Sequence, residues 1–268
     1  MLSRMSSVDD PFVGPPPTEV PLANAPLARV LAQVRFPEIL KIEQREFVSL
    51  FQEAVRAEYP VLRQEQTQIG MIGPAGILPT KTQIAWRFSD IDSQWRVSLT
   101  PEFLAIETTR YASRTDFIAR LRAVLTALDE QVGPKLIDRL GVRYIGRIAG
   151  DSVDDIATLV RPEVRGISGT TLGNRALHAL SETMFELQDA RFVARWGHLS
   201  PGKTTDPTAI EPINQKSWIL DLDMFSAGPT KFAVDPIVED ARRYSERAYA
   251  FFRWAVTDEF LRRHGGQL

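Results

Sequence analysis

Arginine side chains recur at alternate positions of several segments that have the pattern of β-strands. They share the polar face that the alternation leaves opposite the apolar one, and they are Arg29, Arg35, Arg87, Arg96, Arg143 and Arg147. The planar guanidinium group binds phosphate and carboxylate groups through paired hydrogen bonds. If this face is open, the pattern predicts a groove for nucleic acid, a nucleotide or an acidic partner. The alternative is a solvated or salt-bridged face of the sheet.

Carboxylates in the second half of the chain form another candidate group: Glu182, Glu186, Asp221 and Asp223. Asp221 and Asp223 are two residues apart, so a strand would place their carboxylates on one face. Clustered carboxylates hold Mg²⁺ or Mn²⁺ and position a water molecule at a phosphodiester. However, no glycine-rich phosphate loop accompanies them. They therefore predict either a metal-dependent phosphodiesterase or nuclease, or ion pairs with the arginines across the two halves of the chain.

Other catalytic groups find less support in the sequence. The chain has no cysteine, which excludes disulfides, thiolate metal sites and cysteine nucleophiles. His178, His198 and His264 are scattered, and no neighbouring residue in the sequence would orient any of them as a general base. No nucleophile-elbow motif is present. We therefore expect no cofactor, and the leading hypothesis is a non-catalytic binding protein, with the metal-dependent enzyme as its alternative.

The segment from Trp95 to Val132 organises the elements that would position these groups. Trp95, Val97 and Leu99 alternate with polar residues as in a half-buried strand, and a second strand follows from residue 103 to residue 109. Ser113 is a predicted helix N-cap, and its capping-box partner is Asp116. The apolar residues of this helix recur at helical spacing. The segment is thus predicted to form a hairpin covered by a helix.

The order strand, helix, several strands, helix then occurs a second time. We predict an α+β fold of two similar halves, residues 21–134 and 135–268, with mostly antiparallel sheets and helices packed on one face. Local matches favour an internal duplication: VRF at 34–36 parallels VRY at 142–144, and Trp95 parallels Trp218. Residues 1–20 are rich in serine, aspartate and proline and are predicted to form a flexible tail.

Composition limits the classes of partner. The chain has 268 residues and a formal net charge of −2, so bulk charge attracts neither nucleic acid nor an anionic membrane. No apolar run approaches the roughly 20 residues of a membrane span, and the first residues lack a signal-peptide core. We expect a cytoplasmic protein with a protein partner or a homo-oligomeric state. The arginine face leaves nucleic acid open as a partner.

Several motifs occur in a characteristic order: PLANAPLARVLAQVRFP, WRF at 86–88, WRVSLTPEFLAIET, YASRTDFIARL and RLGVRYIGRI. In this order and spacing they resemble an uncharacterised bacterial protein family that is distributed sporadically among genomes. The resemblance covers residues 21–148 well and the second half weakly. It implies a bacterial cytoplasmic protein but no activity, cofactor or catalytic residue. Patchy distribution is common among mobile or defence-associated genes, which suggests a defence-associated role.

Overall fold

The computed structural model describes residues 10–73 and 76–267. Its strands, in chain order, are β1 (Leu27–Arg35), β2 (Val61–Gly73), β3 (Gly76–Ser89), β4 (Trp95–Thr100), β5 (Phe103–Thr108), β6 (Leu136–Ile137), β7 (Arg139–Ala149), β8 (Ala179–Glu186), β9 (Ala190–Leu199), β10 (Ser217–Ser226) and β11 (Thr230–Lys231). Its α-helices are α1 (Arg45–Val55), α2 (Arg114–Gln131), α3 (Ile156–Leu159), α4 (Pro162–Arg165), α5 (Val234–Ala255) and α6 (Asp258–Arg263). Short 3-10 turns occupy parts of the connections.

Nine of the strands form one sheet in the order β2-β3-β4-β5-β1-β7-β10-β9-β8, and β6 pairs with β11 in a small second sheet. The hairpin partners β2–β3, β4–β5 and β8–β9 run antiparallel, as does β3–β4. The predicted α+β class with a mostly antiparallel sheet is therefore confirmed. None of the helices described by the structure is long and apolar enough to cross a bilayer.

The chain divides into two compact units that do not correspond to a single cut near residue 134. One unit, here the Trp95 unit, comprises Leu31–Val142 and Ser226–Arg242. The other, here the Phe251 unit, comprises Met1–Val30, Arg143–Phe225 and Arg243–Leu268. The unit boundaries fall inside β1, β7, β10 and α5, so each of these elements contributes residues to both units.

The Trp95 unit contains the hairpin and helix expected from the sequence. β4 and β5 pair in register from Trp95 opposite Thr108 to Thr100 opposite Phe103. α2 follows, and its N-cap is Ser113, whose hydroxyl accepts a hydrogen bond from the Asp116 N–H at 3.1 Å. This arrangement satisfies one of the backbone donors that a helix N-terminus leaves without an intrahelical partner.

Helices α1 and α2 cover one face of the sheet in this unit. The Phe117 ring of α2 stacks on Trp95 with the centroids 5.9 Å apart, and the Phe51 ring of α1 lies 5.5 Å from Phe88. Phe88 pairs with Val97, so Phe88 and Trp95 lie on the same face. The buried Trp86 donates its indole N–H to Ile42 O at 2.7 Å. Apolar burial on this face supplies the main stabilisation of the unit.

The Phe251 unit has an aromatic core between α5 and the β8–β9 hairpin. Phe251 lies with its ring centroid 5.1 Å from Phe192 and 5.9 Å from Phe185, and Trp254 lies 5.2 Å from it on the same helix. Phe185 and Phe192 are directly opposite in the hairpin register, so both point toward α5. Here too the helix covers a single face of the strands.

Residues 10–24 are docked on the Phe251 unit. Phe12 adds its ring to the aromatic core, 5.0 Å from Phe185 and 6.0 Å from Phe251. Arg247 donates to the carbonyl of Gly14 at 2.8 Å, and Val20 donates its N–H to the Tyr249 hydroxyl at 2.7 Å. Residues 10–20 are therefore packed against the Phe251 unit and do not form the predicted flexible tail. Residues 1–9 lie outside the described part of the chain.

Two further differences concern strands. The loop predicted at residues 73–79 is shorter, because β2 and β3 continue as a hairpin with a register shift between Ile69 and Gly70. An irregularity of this kind lets a proline enter an antiparallel ladder, and Gly70 is paired with Pro79. In addition, Trp218 lies on β10, the neighbour of β7, whereas Trp95 lies on β4, which β5 separates from β1. The predicted equivalence of these two tryptophans is wrong, although the order of strands and helices does recur.

Candidate functional site

The sheet face of the Phe251 unit that lies opposite α5 carries most of the predicted site residues of this unit. Phe192 and Trp196 of β9 point toward α5, so the alternate residue Arg195 points to the other face. Glu182 of β8 is directly opposite Arg195 in the hairpin register. Arg143 on β7 and Asp221 on β10 bind each other on this same face.

Arg143 and Asp221 form a two-pronged ion pair. Arg143 Nε donates to Asp221 Oδ1 and Arg143 Nη2 donates to Asp221 Oδ2, each at 2.7 Å. Arg143 Nη1 donates to Asp206 Oδ2, also at 2.7 Å. The Asp221 side chain is completely buried, and that of Arg143 is 14% exposed. The guanidinium group therefore uses all three of its nitrogens on two carboxylates of its own chain.

A second arginine extends this group toward the edge of the sheet. Arg195 Nη1 lies 3.6 Å from Asp221 Oδ2, and Arg195 Nε donates to Glu182. The residues Arg143, Arg195, Glu182, Asp206 and Asp221 are called the arginine–aspartate network below. Its charges alternate in sign from residue to residue, which is the arrangement that compensates the cost of removing charges from water. The sequence predicted ion pairs between arginines and these carboxylates across the two halves of the chain. Asp221 is indeed paired with arginines, but Arg143 and Arg195 lie in the same half of the chain as Asp221.

The loop between β9 and β10 covers the network. Its residues Ala209 and Ile210 are buried in an apolar cluster with Ile145 and Ile219 of the sheet. Thr208 donates both its N–H and its hydroxyl to Asp206 Oδ1, at 3.0 and 2.7 Å, and so holds the carboxylate toward Arg143. Asp206 was not singled out by the sequence, because a carboxylate in a proline-rich loop looks like an ordinary turn residue.

The electrostatics of this site follow from the same contacts. Burial alone would lower the pKa of Arg143, but its hydrogen bonds and charge interactions with Asp221 and Asp206 raise that pKa above the usual arginine value. Burial opposes ionisation of Asp206, yet the bonds from Thr208 and Arg143 lower its pKa. Burial lowers the pKa of Arg147, which donates to the carbonyl of Glu211 at 2.7 Å. Arg143 and Asp206 each stabilise the charged form of the other.

The remaining predicted arginines are spread over several strands and are paired in most cases. In the Trp95 unit, Arg35 lies 3.4 Å from a Glu102 oxygen, Arg87 lies 3.2 Å from Glu65, and Arg96 forms an ion pair with Glu107. Arg96 and Glu107 are also direct cross-strand neighbours. Arg29 is half-buried on β1 in the Phe251 unit. The geometry fits a salt-bridged sheet face, the alternative to an open basic groove.

The four predicted metal-binding carboxylates occupy different surroundings. Asp221 is buried against Arg143, Glu182 is bound by Arg195, Asp223 is partly buried on β10, and Glu186 is exposed at the end of β8. Within residues 10–73 and 76–267, no group of three or more histidine, aspartate or glutamate side chains is placed to hold a metal ion. A cation at Asp221 would meet a carboxylate whose two oxygens both accept hydrogen bonds from the positively charged Arg143.

A different surface feature emerges on the segment between residues 167 and 184, here the exposed apolar segment. Exposure is described for the side chains of residues 10–66 and 83–267 except residue 174, and eleven large apolar ones among them are exposed. Five of these eleven belong to the segment: Ile167, Leu172, Leu177, Leu180 and Met184. Their exposures range from 46% for Leu180 to 80% for Leu177. Apolar side chains exposed together mark interaction surfaces more often than scattered ones do, and these five lie close together in the sequence.

His264 supplies a pH dependence that does not involve the network. Its Nε2 is buried without a hydrogen-bond partner, and its ring lies 4.5 Å from that of Phe260. Burial lowers its pKa from 6.5, and the charge of Arg263 lowers it further, against the opposing effect of the Asn24 backbone contact. Burial likewise lowers the pKa of His198. The unfolded chain therefore binds protons more readily than the folded chain does.

Because the folded pKa is the lower one, this contribution to stability is complete above the unfolded value near pH 6.5 and is lost as the pH falls toward the folded pKa. We expect the melting temperature to fall between pH 7.5 and about pH 5.5, and His264→Phe to reduce that fall. Differential scanning calorimetry across this range measures both slopes. A wild-type slope in His264→Phe would contradict the assignment.

Comparison of the chain with models of protein families, with curated proteins and with solved structures finds no match.

Proposed function

We propose that this chain is a non-catalytic protein that binds a protein partner through the exposed apolar segment. The observation that carries the proposal is the concentration of exposed apolar side chains, such as Leu172, Leu177 and Met184, in the segment that leads into and includes β8. In the same unit, Arg143 and Arg195 are already paired with carboxylates of the chain. Apolar contacts at the centre of an interface contribute most of its stability when they leave water. A surface of this composition is better suited to another protein than to a polyanion.

The arginine–aspartate network supports a structural role for the charges. Arg143 uses its donors on Asp221 and Asp206, and Arg195 is bound to Glu182, so their guanidinium groups are already engaged. Binding of a phosphate by these groups would first have to break charge-assisted hydrogen bonds of the fold. This lowers the support for the nucleic-acid groove and leaves a protein partner as the better proposal.

The metal-dependent phosphodiesterase remains the competing proposal, and it requires Asp221 and Asp223 to act on a cation. It predicts cleavage of nucleic acid by the purified protein that a chelator stops and that Asp223→Asn removes. We propose the non-catalytic alternative, because the Asp221 oxygens are both hydrogen-bonded to Arg143. A cytoplasmic location, membership of the uncharacterised bacterial family and a defence-associated role are proposed on the motifs of the first half alone.

Site-specific photo-crosslinking in the native host tests the proposed surface. A photoreactive amino acid at Leu177, which is 80% exposed, should give a discrete crosslinked product. The matched control places the same group at Ile91, which is 82% exposed in a turn of the Trp95 unit. Products from Leu177 and not from Ile91 are expected; equal products from both, or none from Leu177, would reject the exposed apolar segment as the binding surface.

A further inference from the structure

Strand β8 ends the nine-stranded sheet. Within the described residues it pairs with β9 only, from Ala179 opposite His198 to Glu186 opposite Arg191. Its sequence, ALSETMFE, contains neither proline nor lysine, two residues that commonly protect exposed edges, and its charged residues are Glu182 and Glu186. Gly197 holds the two strands close, because a Cβ at this position, where φ is +141°, would overlap Ala179 O. The edge is therefore regular, eight residues long and exposed along much of its length.

The backbone groups that point away from β9 can be identified from the hairpin. Leu187 donates its N–H to Ala190 O at 2.9 Å, so this pair is a hydrogen-bonded one. Hydrogen-bonded and non-hydrogen-bonded pairs alternate along an antiparallel ladder, and the register has no shift. The residues whose N–H and C=O groups face outward are therefore Leu180, Glu182, Met184 and Glu186. Leu180 and Met184 are also 46% and 60% exposed.

We propose that β8 pairs antiparallel with β8 of a second copy of this chain, with the two-fold axis at Thr183, so that the sheet continues across a dimer. In this register Glu182 faces Met184 of the other copy, and Leu180 faces Glu186. The inference rests on the proposed function, since it names a second copy as the partner at this part of the exposed apolar segment. All four outward-facing residues then exchange backbone hydrogen bonds with the other copy.

The charges on β8 favour this register over the two adjacent ones. Moving the axis by one residue in one direction places Glu182 opposite Glu182 of the other copy. Moving it by one residue in the other direction places Glu182 opposite Glu186. Like charges directly opposite each other destabilise a sheet. In the proposed register each of the two carboxylates therefore lies opposite an apolar side chain of the other copy. Glu182 also keeps its ion pair with Arg195 of its own chain.

Proline and valine substitutions test the strand pairing. Met184→Pro removes an outward-facing N–H and no β8–β9 hydrogen bond, so it should weaken dimerisation at least about tenfold. Met184→Val keeps the N–H and should remain dimeric. Sedimentation equilibrium gives the dissociation constants, and circular dichroism checks that both variants are folded. If Met184→Pro dimerises like the wild type, the edge pairing is refuted.

Single cysteines test the register. The chain has no cysteine, and the axis places Thr183 opposite itself in a non-hydrogen-bonded pair, where side chains are closest. Under mild oxidation Thr183→Cys should form a disulfide-linked dimer, because its Cβ atoms lie within disulfide reach. Ser181→Cys, which faces Phe185 of the other copy, should stay monomeric on a denaturing gel.

The results that would contradict the dimer differ from those that would contradict the proposed function. A wild-type protein that is monomeric at about 100 μM, or equal crosslinking of Ser181→Cys and Thr183→Cys, would contradict the dimer. If the photoreactive group at Leu177 still captures a different protein, the proposed function stands while the inference fails. If Leu177 captures nothing and the wild type is monomeric, both fail.

Discussion

Arg143→Met should lower the free energy of unfolding by about 3–5 kcal/mol. Methionine fills much of the space of the arginine stem but leaves the completely buried Asp221 without its two-pronged partner. Removing one member of a buried pair is costly because the remaining charge stays out of water. Urea denaturation followed by tryptophan fluorescence measures the loss.

Two controls make this result specific. Arg35→Met removes an arginine whose side chain is 47% exposed and paired with Glu102, and exposed pairs of this kind contribute about 0–1 kcal/mol. Combining Arg143→Met with Asp221→Leu should recover much of the loss, because no buried charge is then left unpaired. A wild-type unfolding midpoint for Arg143→Met would show that the arginine–aspartate network is not structural.

Phe251→Ala should destabilise the protein by a similar amount, about 3–5 kcal/mol, as large-to-small substitutions in aromatic cores do. Phe251 is 2% exposed and contacts the rings of Phe185, Phe192 and Trp254. The cavity left by its ring would lie between α5 and the β8–β9 hairpin. The same denaturation experiment measures this loss.

Phe12→Ala is the matched comparison, because the Phe12 ring belongs to the same cluster but is only half-buried. It should cost less than Phe251→Ala and should make residues 10–20 more sensitive to limited proteolysis. Equal stability of wild type and Phe251→Ala would contradict an aromatic core at this place. Unchanged proteolysis of Phe12→Ala would contradict the docking of residues 10–20.

Local patterns in the sequence were sufficient for much of the fold. The alternation around Trp95 and the cap at Ser113 depend on neighbouring residues, and both are found in the structure. The strand order depends on long-range pairing that sequence patterns do not specify. For this reason the local similarity around Trp95 and Trp218 does not reveal that the two tryptophans lie on strands with different places in the sheet.

The candidate site was predictable only in its residue types. Alternation along the strands predicted that Arg143 and Asp221 lie on polar faces. Ion pairing of arginines with Asp221 was one of two interpretations of these charges, and a metal site was the other. The contribution of Asp206 depends on the fold of a loop whose buried anchor is Ile210. The docking of Phe12 depends on contacts with residues more than 170 positions away, for which a proline-rich segment gives no local signal.

The central proposal is that this chain is a non-catalytic protein that binds a partner through the exposed apolar segment. Quantitative co-purification from the native host tests it most directly. The paired variants are Leu172→Asp with Leu177→Asp on that segment, and Leu50→Asp with Ile91→Asp at exposed positions of the Trp95 unit. We predict that the wild type and the control pair retain the same partner, that the Leu172/Leu177 pair loses it, and that all three melt alike. Retention of the partner by the Leu172/Leu177 variant, or chelator-sensitive cleavage of nucleic acid by the purified wild type, would contradict the proposal.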